Sequence, residues 1–500
     1  MPKFSMTEPL AKRIGAKRIG IAITLLIATF STVGCQTVGP DYGGVTSPAM
    51  SQSFFQEATR TSDNPMYQPT PISWDSFGDM TLQGLIARAM QDNPSVEELS
   101  WRINEARNVV RIVSGQADPF ADGIAGYERR KRSANAQPFV GSNGQPFNFL
   151  SVGLNSRWEI DLVGRIARET EAAVADYQAT QEDLNDLRRV LAGDIARAYV
   201  TLRLNQELYQ QNETNLKIQQ RSVDEVQGRI EAGKVGKLDL VQLQSRIGLT
   251  ESDTPVFEQA IAQSFHLLAL LVGSTPGDDL SFLLRPKSQL IIPAFAPELP
   301  ANLIRRRPDV RRTEREVAAA CARIGVAEAE FYPRLNLLGT LTFDSRKLSN
   351  LLDYDSLVFA VGPGVSWNIL SLGRIESQVN VQKAQLKQAC ARYRQSVLLA
   401  VSEVEDALVA QDQQRRRINL LTQTVDDAAE SVELAIDQYK ADKASLERVV
   451  SNQQRLLQAS LALAQARAEA SIASVNLYQA IGGGDVQLSP WQCAVSGCMQ

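Results

Sequence analysis

The chain writes one long pattern twice. The stretch RWEIDLVGRIARETEAAVADYQ opens a segment closing on LLALLVG at Gly273, and SWNILSLGRIESQVNVQKAQ opens another closing on LYQAIGG. Trp158, Gly164 and Gly273 recur as Trp367, Gly373 and Gly482, all at an offset of 209. In the first copy Ile195, Leu202, Tyr209, Leu216, Val223 and Ile230 stand seven residues apart; in the second, the same places hold Val404, Gln411, Ile418, Val425, Val432 and Tyr439. An apolar seam kept at a seven-residue spacing predicts a long coiled-coil-like helix, and two copies predict an internal structural repeat. Five hundred residues would serve two to four ordinary domains, but one elongated repeat architecture fits this pattern better.

Each repeat begins before its tryptophan. Pro94 and Pro119 bracket one mixed helical stretch, Pro308 and Pro333 another. Proline suits a first helical turn and also ends a helix, so each pair predicts a helix of about seven turns. After the second proline the period changes to two. Leu335, Leu337, Leu341 and Phe343 alternate with Asn336, Thr340, Thr342 and Asp344; Leu150, Val152, Leu154, Trp158 and Ile160 alternate with Ser151, Gly153, Asn155, Arg157 and Glu159. Strands are expected at 120–130 with 149–161, and at 334–344 with 357–369. Strands of this kind suit a barrel wall between lipid and lumen, and four of them are too few where the smallest bacterial barrels use about eight. Several copies must therefore share one barrel.

From Gly164 to Gly233 the long helix would rise roughly 100 Å. The shorter segment to Gly273 and the helix bracketed by prolines sum to nearly the same length, so they are expected to stack end to end beside it. Pro255 should kink or interrupt the shorter helix. The chain divides into 1–34, 35–92 (with a helix from near Thr81), repeat one at 93–273, a proline-rich connection at 274–307 expected to wrap the helices, repeat two at 308–484, and a tail at 485–500.

Residues 1–34 carry five basic residues against Glu8, then the apolar run Ile19–Phe30, too short to span a bilayer. That is the layout of a secretory signal peptide. Its removal takes the net charge from −4 to −8, which argues against a nucleic-acid partner. Thr32-Val33-Gly34-Cys35 resembles a lipobox, with Thr32 where Leu is usual, and makes Cys35 the candidate lipidated residue. Cys321 and Cys390 read as small buried residues; Cys493 and Cys498 lie in the tail, where a disulfide between them is an open alternative. His266 is the single histidine, which removes most His-based catalysis and transition-metal chemistry. Asp426 and Asp427 are adjacent on a helix and do not face each other. No Gly-rich phosphate loop occurs, so neither an enzyme nor a cofactor is expected.

The stretches TVGPDY after Cys35, LPANLIRRRPDVRRTEREVAAACARIGVAEAEFYPRLNLLGTL at mid-chain and RIEAGKVGKLDLVQLQS in the first repeat closely resemble the outer-membrane efflux lipoproteins of the NodT/OprM type, relatives of TolC. The resemblance covers about residues 35–484. It implies an α+β membrane protein: a long α-helical barrel plus a transmembrane β-barrel of twelve strands shared between protomers. It implies a homotrimer, a periplasmic adaptor (a membrane fusion protein), an inner-membrane pump of the resistance-nodulation-division type, and contact with outer-membrane lipid. The function implied is the exit duct of a tripartite efflux system, conducting drugs or other small molecules passively. In such a duct the periplasmic tip is closed by residues around the helical turns, which makes Asp239, Tyr439, Asp442 and Glu447 tip candidates, with Arg448 as a local ion partner. Asp442 stands where the family usually has Gly, and Val450 where Asp is common. Gly164, Gly233 and Gly373 are the turn glycines. The alternatives are a type I secretion conduit of the same fold and a periplasmic coiled coil without a pore.

Overall fold

The computed structural model describes residues 37–45, 74–131, 145–277, 280–285 and 306–483. Residues 1–36 with the expected signal segment and Cys35, residues 46–73 of the 35–92 segment, most of the 274–307 connection, and Cys493 and Cys498 lie outside them. Among the described residues the elements run α1 (Met80–Asp92), α2 (Pro94–Ser114), β1 (Phe120–Arg130), β2 (Phe147–Ile160), α3 (Arg165–Glu231), α4 (Lys237–Val272), α5 (Pro308–Ala329), β3 (Arg334–Ser345), β4 (Leu357–Ser366), α6 (Arg374–Lys440) and α7 (Leu446–Ala480). The long helices α3 and α6 are each 67 residues, displaced by the repeat offset. All twelve seam residues are buried or half-buried.

The chain forms two compact units. The first contains the strands and the helical stretches that enter and leave them. Its sheet is antiparallel in the order β1-β2-β3-β4. β4 ends at Ser366, three residues before the predicted limit, because the chain turns there: Trp367 Nε1 donates to Phe331 O at 2.9 Å and Ile369 N to Trp367 O. In the other repeat Trp158 Nε1 donates to Ala117 O at 2.8 Å. Both tryptophans thus tie the exit of a strand pair to its entry. α2 and α5 have 21 and 22 residues, nearer six turns than seven. A 3₁₀ turn (Gly115–Ala117) follows α2, and a turn through Glu330–Tyr332 follows α5.

The N-terminal segment is clasped in the same unit. Val38 N donates to Val163 O at 2.9 Å. Arg168, its side chain 5% exposed, donates to Val38 O and Gly39 O and pairs with Asp41 and Glu171. Tyr42 packs on Ala175, Ala318 and Ala319. Gly39, at φ +93°, crosses Gly325 so closely that a Cβ on Gly325 would stand 2.6 Å from Val38 O. Gly325→Ala is therefore expected to cost about 1–3 kcal/mol in overpacking despite alanine's better helix propensity. Limited proteolysis should show residues 37–44 cut faster in this variant than in the parent.

The second unit is helical. Its largest core joins Trp74, Phe77, α1 and the facing parts of α3, α4, α6 and α7. The shorter helices meet end to end here. Asn93, just before α2, donates from Nδ2 to Leu271 O at 2.8 Å, closing the end of α4. Arg307, just before α5, donates to Ala480 O at 2.9 Å, closing the end of α7. The two carbonyls are 209 residues apart, so the same junction is made twice, by an amide and by a guanidinium. Arg307 also pairs with Asp309 and Glu403, each at 2.7 Å, which accounts for the RRPD stretch.

A buried network ties the start of the inter-repeat connection to α3. Arg203 donates to Leu283 O, Arg285 O and Tyr199 Oη, and Gln206 donates to Leu283 O. Tyr199 donates to Asp79, the N-cap of α1, at 2.7 Å. Burial, with that bond, pushes the Tyr199 hydroxyl up to about 12, so it remains a donor.

Two expectations are corrected. α4 runs through Pro255 without interruption. Proline leaves a carbonyl one turn earlier without its helical donor; next to it, Asn212 Nδ2 on α3 donates to Thr250 O at 3.2 Å and to Thr254 Oγ1 at 3.0 Å. Asn212 thus fastens the turn before the proline to the neighbouring long helix. Cys321 is buried, but Cys390 is only half-buried.

Candidate functional site

Two regions of the molecule bear on function, one in each unit. In the sheet, register sorts residues onto two faces. Gly123, Leu154, Leu341 and Phe359 form one cross-strand row; Val152, Phe343 and Leu357 form another. The rows through Trp158 and Leu337, and through Ile160, Leu335 and Val365, share that face. Leu154, Leu341, Phe359, Val361 and Val365 are exposed, Phe359 at 74%. The opposite face carries Asp122, Asn155, Thr340, Arg157, Asn336 and Asp344, with Arg157 Nε donating to Asn336 Oδ1 at 3.1 Å and Ser151 to Asp344 at 2.7 Å. One face suits hydrocarbon and the other suits water. About ten residues per strand, tilted by about 40°, give a band of roughly 25 Å, the height of an outer-membrane barrel wall. Leu154→Arg, at mid-band, is expected to destabilise the sheet by about 2–4 kcal/mol in lipid. Arg157→Leu on the polar face should cost less, as urea unfolding of the reconstituted protein would show.

The second region is the pair of helical turns after α3 and α6. Each helix ends in a Schellman motif, in which the N–H groups past the end close back on the last carbonyls. Gly233 N donates to Ile230 O and Lys234 N to Arg229 O; Asp442 N donates to Tyr439 O and Lys443 N to Gln438 O. The motif needs a left-handed residue, and Gly233 supplies it at φ +70°. At the equivalent place Asp442 adopts φ +59°. Gly164 and Gly373, both at φ +79°, make the turns into the long helices.

A non-glycine residue in that conformation costs about 1 kcal/mol, and here its side chain is used. The Asp442 carboxylate pairs with Arg229, and Lys234 Nζ lies 3.9 Å from its other oxygen. Arg229 Nη1 donates to Tyr439 O at 2.8 Å, and its guanidinium lies 4.2 Å over the Tyr439 ring. Beneath them Val223, Val226, Leu243, Leu446 and Val449 form a small core. Burial pushes the Tyr439 hydroxyl above its ordinary value; the Asp239 and Glu225 charges add to this and Arg229 opposes it. Asp239 lies in the first turn of α4.

The structure thus gathers Tyr439 and Asp442 around Arg229, with the Asp239 charge acting on Tyr439. Glu447 and Arg448 are exposed on the first turn of α7, and Arg448 makes no ion pair among the described residues. The cation that meets Asp442 is Arg229, from the other repeat, because the Arg229 side chain lies under the turn while that of Arg448 points to solvent. A signal for it existed. At the repeat offset Arg229 falls on Gln438 and Gly233 on Asp442, so the two turns are complementary in charge where the duplication would make them alike.

A sheet with one apolar and one polar face, joined to paired 67-residue helices, defines a membrane channel protein of the outer-membrane type. Residues 85–274 and 299–483 match the outer membrane efflux protein family, and the chain belongs to it. It is 29% identical over 451 residues to nodulation protein T of Rhizobium leguminosarum bv. viciae, covering 89% of this chain and 90% of that one. It is 28% identical to the outer membrane protein OprJ of Pseudomonas aeruginosa, covering 92% and 95%. Among solved structures, the outer-membrane channel OprN superposes with a TM-score of 0.79 at 28% identity, over 89% of this chain and 99% of that one. The open state of the Neisseria gonorrhoeae MtrE channel, at 23% identity and a TM-score of 0.77 over 90% and 98%, shares the fold. The protein is an efflux channel of the outer membrane.

Proposed function

We propose that three copies close one twelve-stranded barrel, and that the trimer is the passive exit duct of a tripartite pump. The observation that carries this reading is the sheet itself: four strands, an apolar face, and β1 and β4 each hydrogen-bonded on one side only. Lipid tolerates no open strand edge, so β1 of one copy must pair with β4 of the next. A periplasmic adaptor and an inner-membrane pump of the resistance-nodulation-division type would supply cargo and energy. The cargo class is small apolar or amphipathic molecules, as the names of a toluene efflux pump relative in Pseudomonas putida and an antibiotic efflux pump relative suggest for those proteins. The duct performs no chemistry. The turns around Arg229 and Asp442 act as the gate, and the adaptor opens it by binding the open state better. Lipidation of Cys35 adds a second anchor.

The test is the mass and heat-modifiability of the detergent-extracted protein from the outer-membrane fraction. A trimer whose β-signal survives mild SDS is expected. A soluble, purely helical monomer or dimer would sink the reading.

A further inference from the structure

The apolar face of the sheet has different chemistry at its two ends. Where the helices attach, it finishes in Trp158, Ile160, Leu335 and Val365. At the far end it finishes in Tyr127, whose hydroxyl donates to Asn148 Oδ1 at 3.1 Å, and then in Arg129, directly opposite Asn148. Lys131 follows two residues on. Lys347 sits at the same end, in a turn where Lys347 N donates to Ser345 Oγ at 3.2 Å and Ser345 Oγ donates to Lys347 O at 2.9 Å. Arg129, Lys131 and Lys347 are all exposed.

The neighbouring carboxylates are engaged elsewhere. Glu128 pairs with Arg130 and Asp344 accepts from Ser151, both on the polar face. Asp353 and Asp355, in the β3–β4 loop, make no ion pair with the three cations among the described residues. Among the described residues the other two arginines at this end are also committed, Arg130 over the Phe149 ring at 4.3 Å and Arg346 over the Phe147 ring at 5.0 Å. Arg129 on the apolar face, with Lys131 and Lys347 just past the strand ends, thus crowns this end of the sheet, and among the described residues none of the three has an acidic partner. Their stems can lie along apolar surface while the charges reach outward. The tyrosine below them stands at the level of an aromatic girdle.

In an outer-membrane channel whose helices lie in the periplasm, this end meets the outer leaflet. We propose that Arg129, Lys131 and Lys347 form a binding site for phosphomonoester-bearing glycolipid headgroups of that leaflet. Arg129 offers a bidentate fork to a phosphate, and the lysines add point charges. The site rests on the outer-membrane reading above. It would hold lipid at the rim of each protomer.

The experiment uses the full-length protein in vesicles of phosphatidylcholine doped with bis-phosphorylated lipid A, and quantifies the lipid A retained on repurification. Replacing all three residues by glutamine is expected to lower retention roughly 100-fold, and each single replacement about fivefold. Arg130→Gln should leave it unchanged, and the charge-conserving swaps Arg129→Lys, Lys131→Arg and Lys347→Arg should preserve most of it. The proposal is overturned if the triple variant, or every single variant where the triple does not fold, retains lipid A like the parent. Equal retention of dephosphorylated lipid A would also overturn it, as would displacement by inorganic phosphate alone, which would mark a free-ion site. A heat-resistant β-signal is read on every variant, so that loss of the membrane-inserted sheet is told apart from loss of the lipid site.

Discussion

Arg307→Ala is expected to cost about 3 kcal/mol, because it strips a buried junction of its central cation. The Arg307 side chain is 2% exposed, and it holds Asp309, Glu403 and the last carbonyl of α7 together. Asn93→Ala removes the equivalent bond of the first repeat, a neutral one, and should cost only about 1 kcal/mol. Thermal or urea unfolding of the two variants in detergent checks the ratio. The charged junction also carries a pH signature. Burial pushes the Asp309 carboxyl up, but hydrogen bonds and charge from Arg307, with further charge from Arg189, outweigh it and hold it below its ordinary value of 3.8. A carboxyl with a depressed folded value contributes stability above the unfolded value and loses it as pH falls through the folded one. The gap between parent and Arg307→Ala should thus be flat from neutral pH to about pH 5 and close only in stronger acid.

Breaking the Arg229–Asp442 pair should leave the fold intact and make the channel leak. Each lock is partly exposed and worth about 1 kcal/mol, so three in the proposed trimer give about 3 kcal/mol, or roughly 100-fold in the closed-to-open ratio. Single-channel conductance in planar bilayers should show Arg229→Ala and Asp442→Asn open far more often than the parent. High salt should narrow the difference, since Asp442 is 58% exposed on its side chain. Asp442→Gly separates lock from strain: it relieves about 1 kcal/mol of left-handed backbone cost while removing the carboxylate. A variant that is more stable yet leakier is the expected result. Unchanged gating in all three would remove the turns from the gate.

Much of this was legible in the residues. The strands announced themselves because lipid and water impose a period of two, and Leu150, Val152 and Leu154 obey it. The paired prolines fixed where α2 and α5 begin, since a ring that lacks an N–H loses no bond in a first turn. The partner of Asp442 was not legible locally, because Arg229 lies 213 residues away and only the charge difference between the two turns at the repeat offset points to it. Pro255 misled for a related reason: the donors beside its break belong to Asn212 on another helix. Local rules describe what a residue does to its own backbone, and both failures came from a distant side chain.

The clasp around Gly39 sets an order of events on a chain made from its N-terminus. Residues 38–41 emerge early, yet Arg168 lies 130 residues downstream of Val38 and Cys321, which donates to Pro40 O, lies 281 downstream of it. Closing so long a loop is slow, since its entropy is spent before any contact rewards it. A chain arrested before the second repeat can meet only first-repeat partners such as Val163 and Arg168. The clasp is complete only on a nascent chain that has also delivered most of the second repeat's first helix and so brought both repeats together.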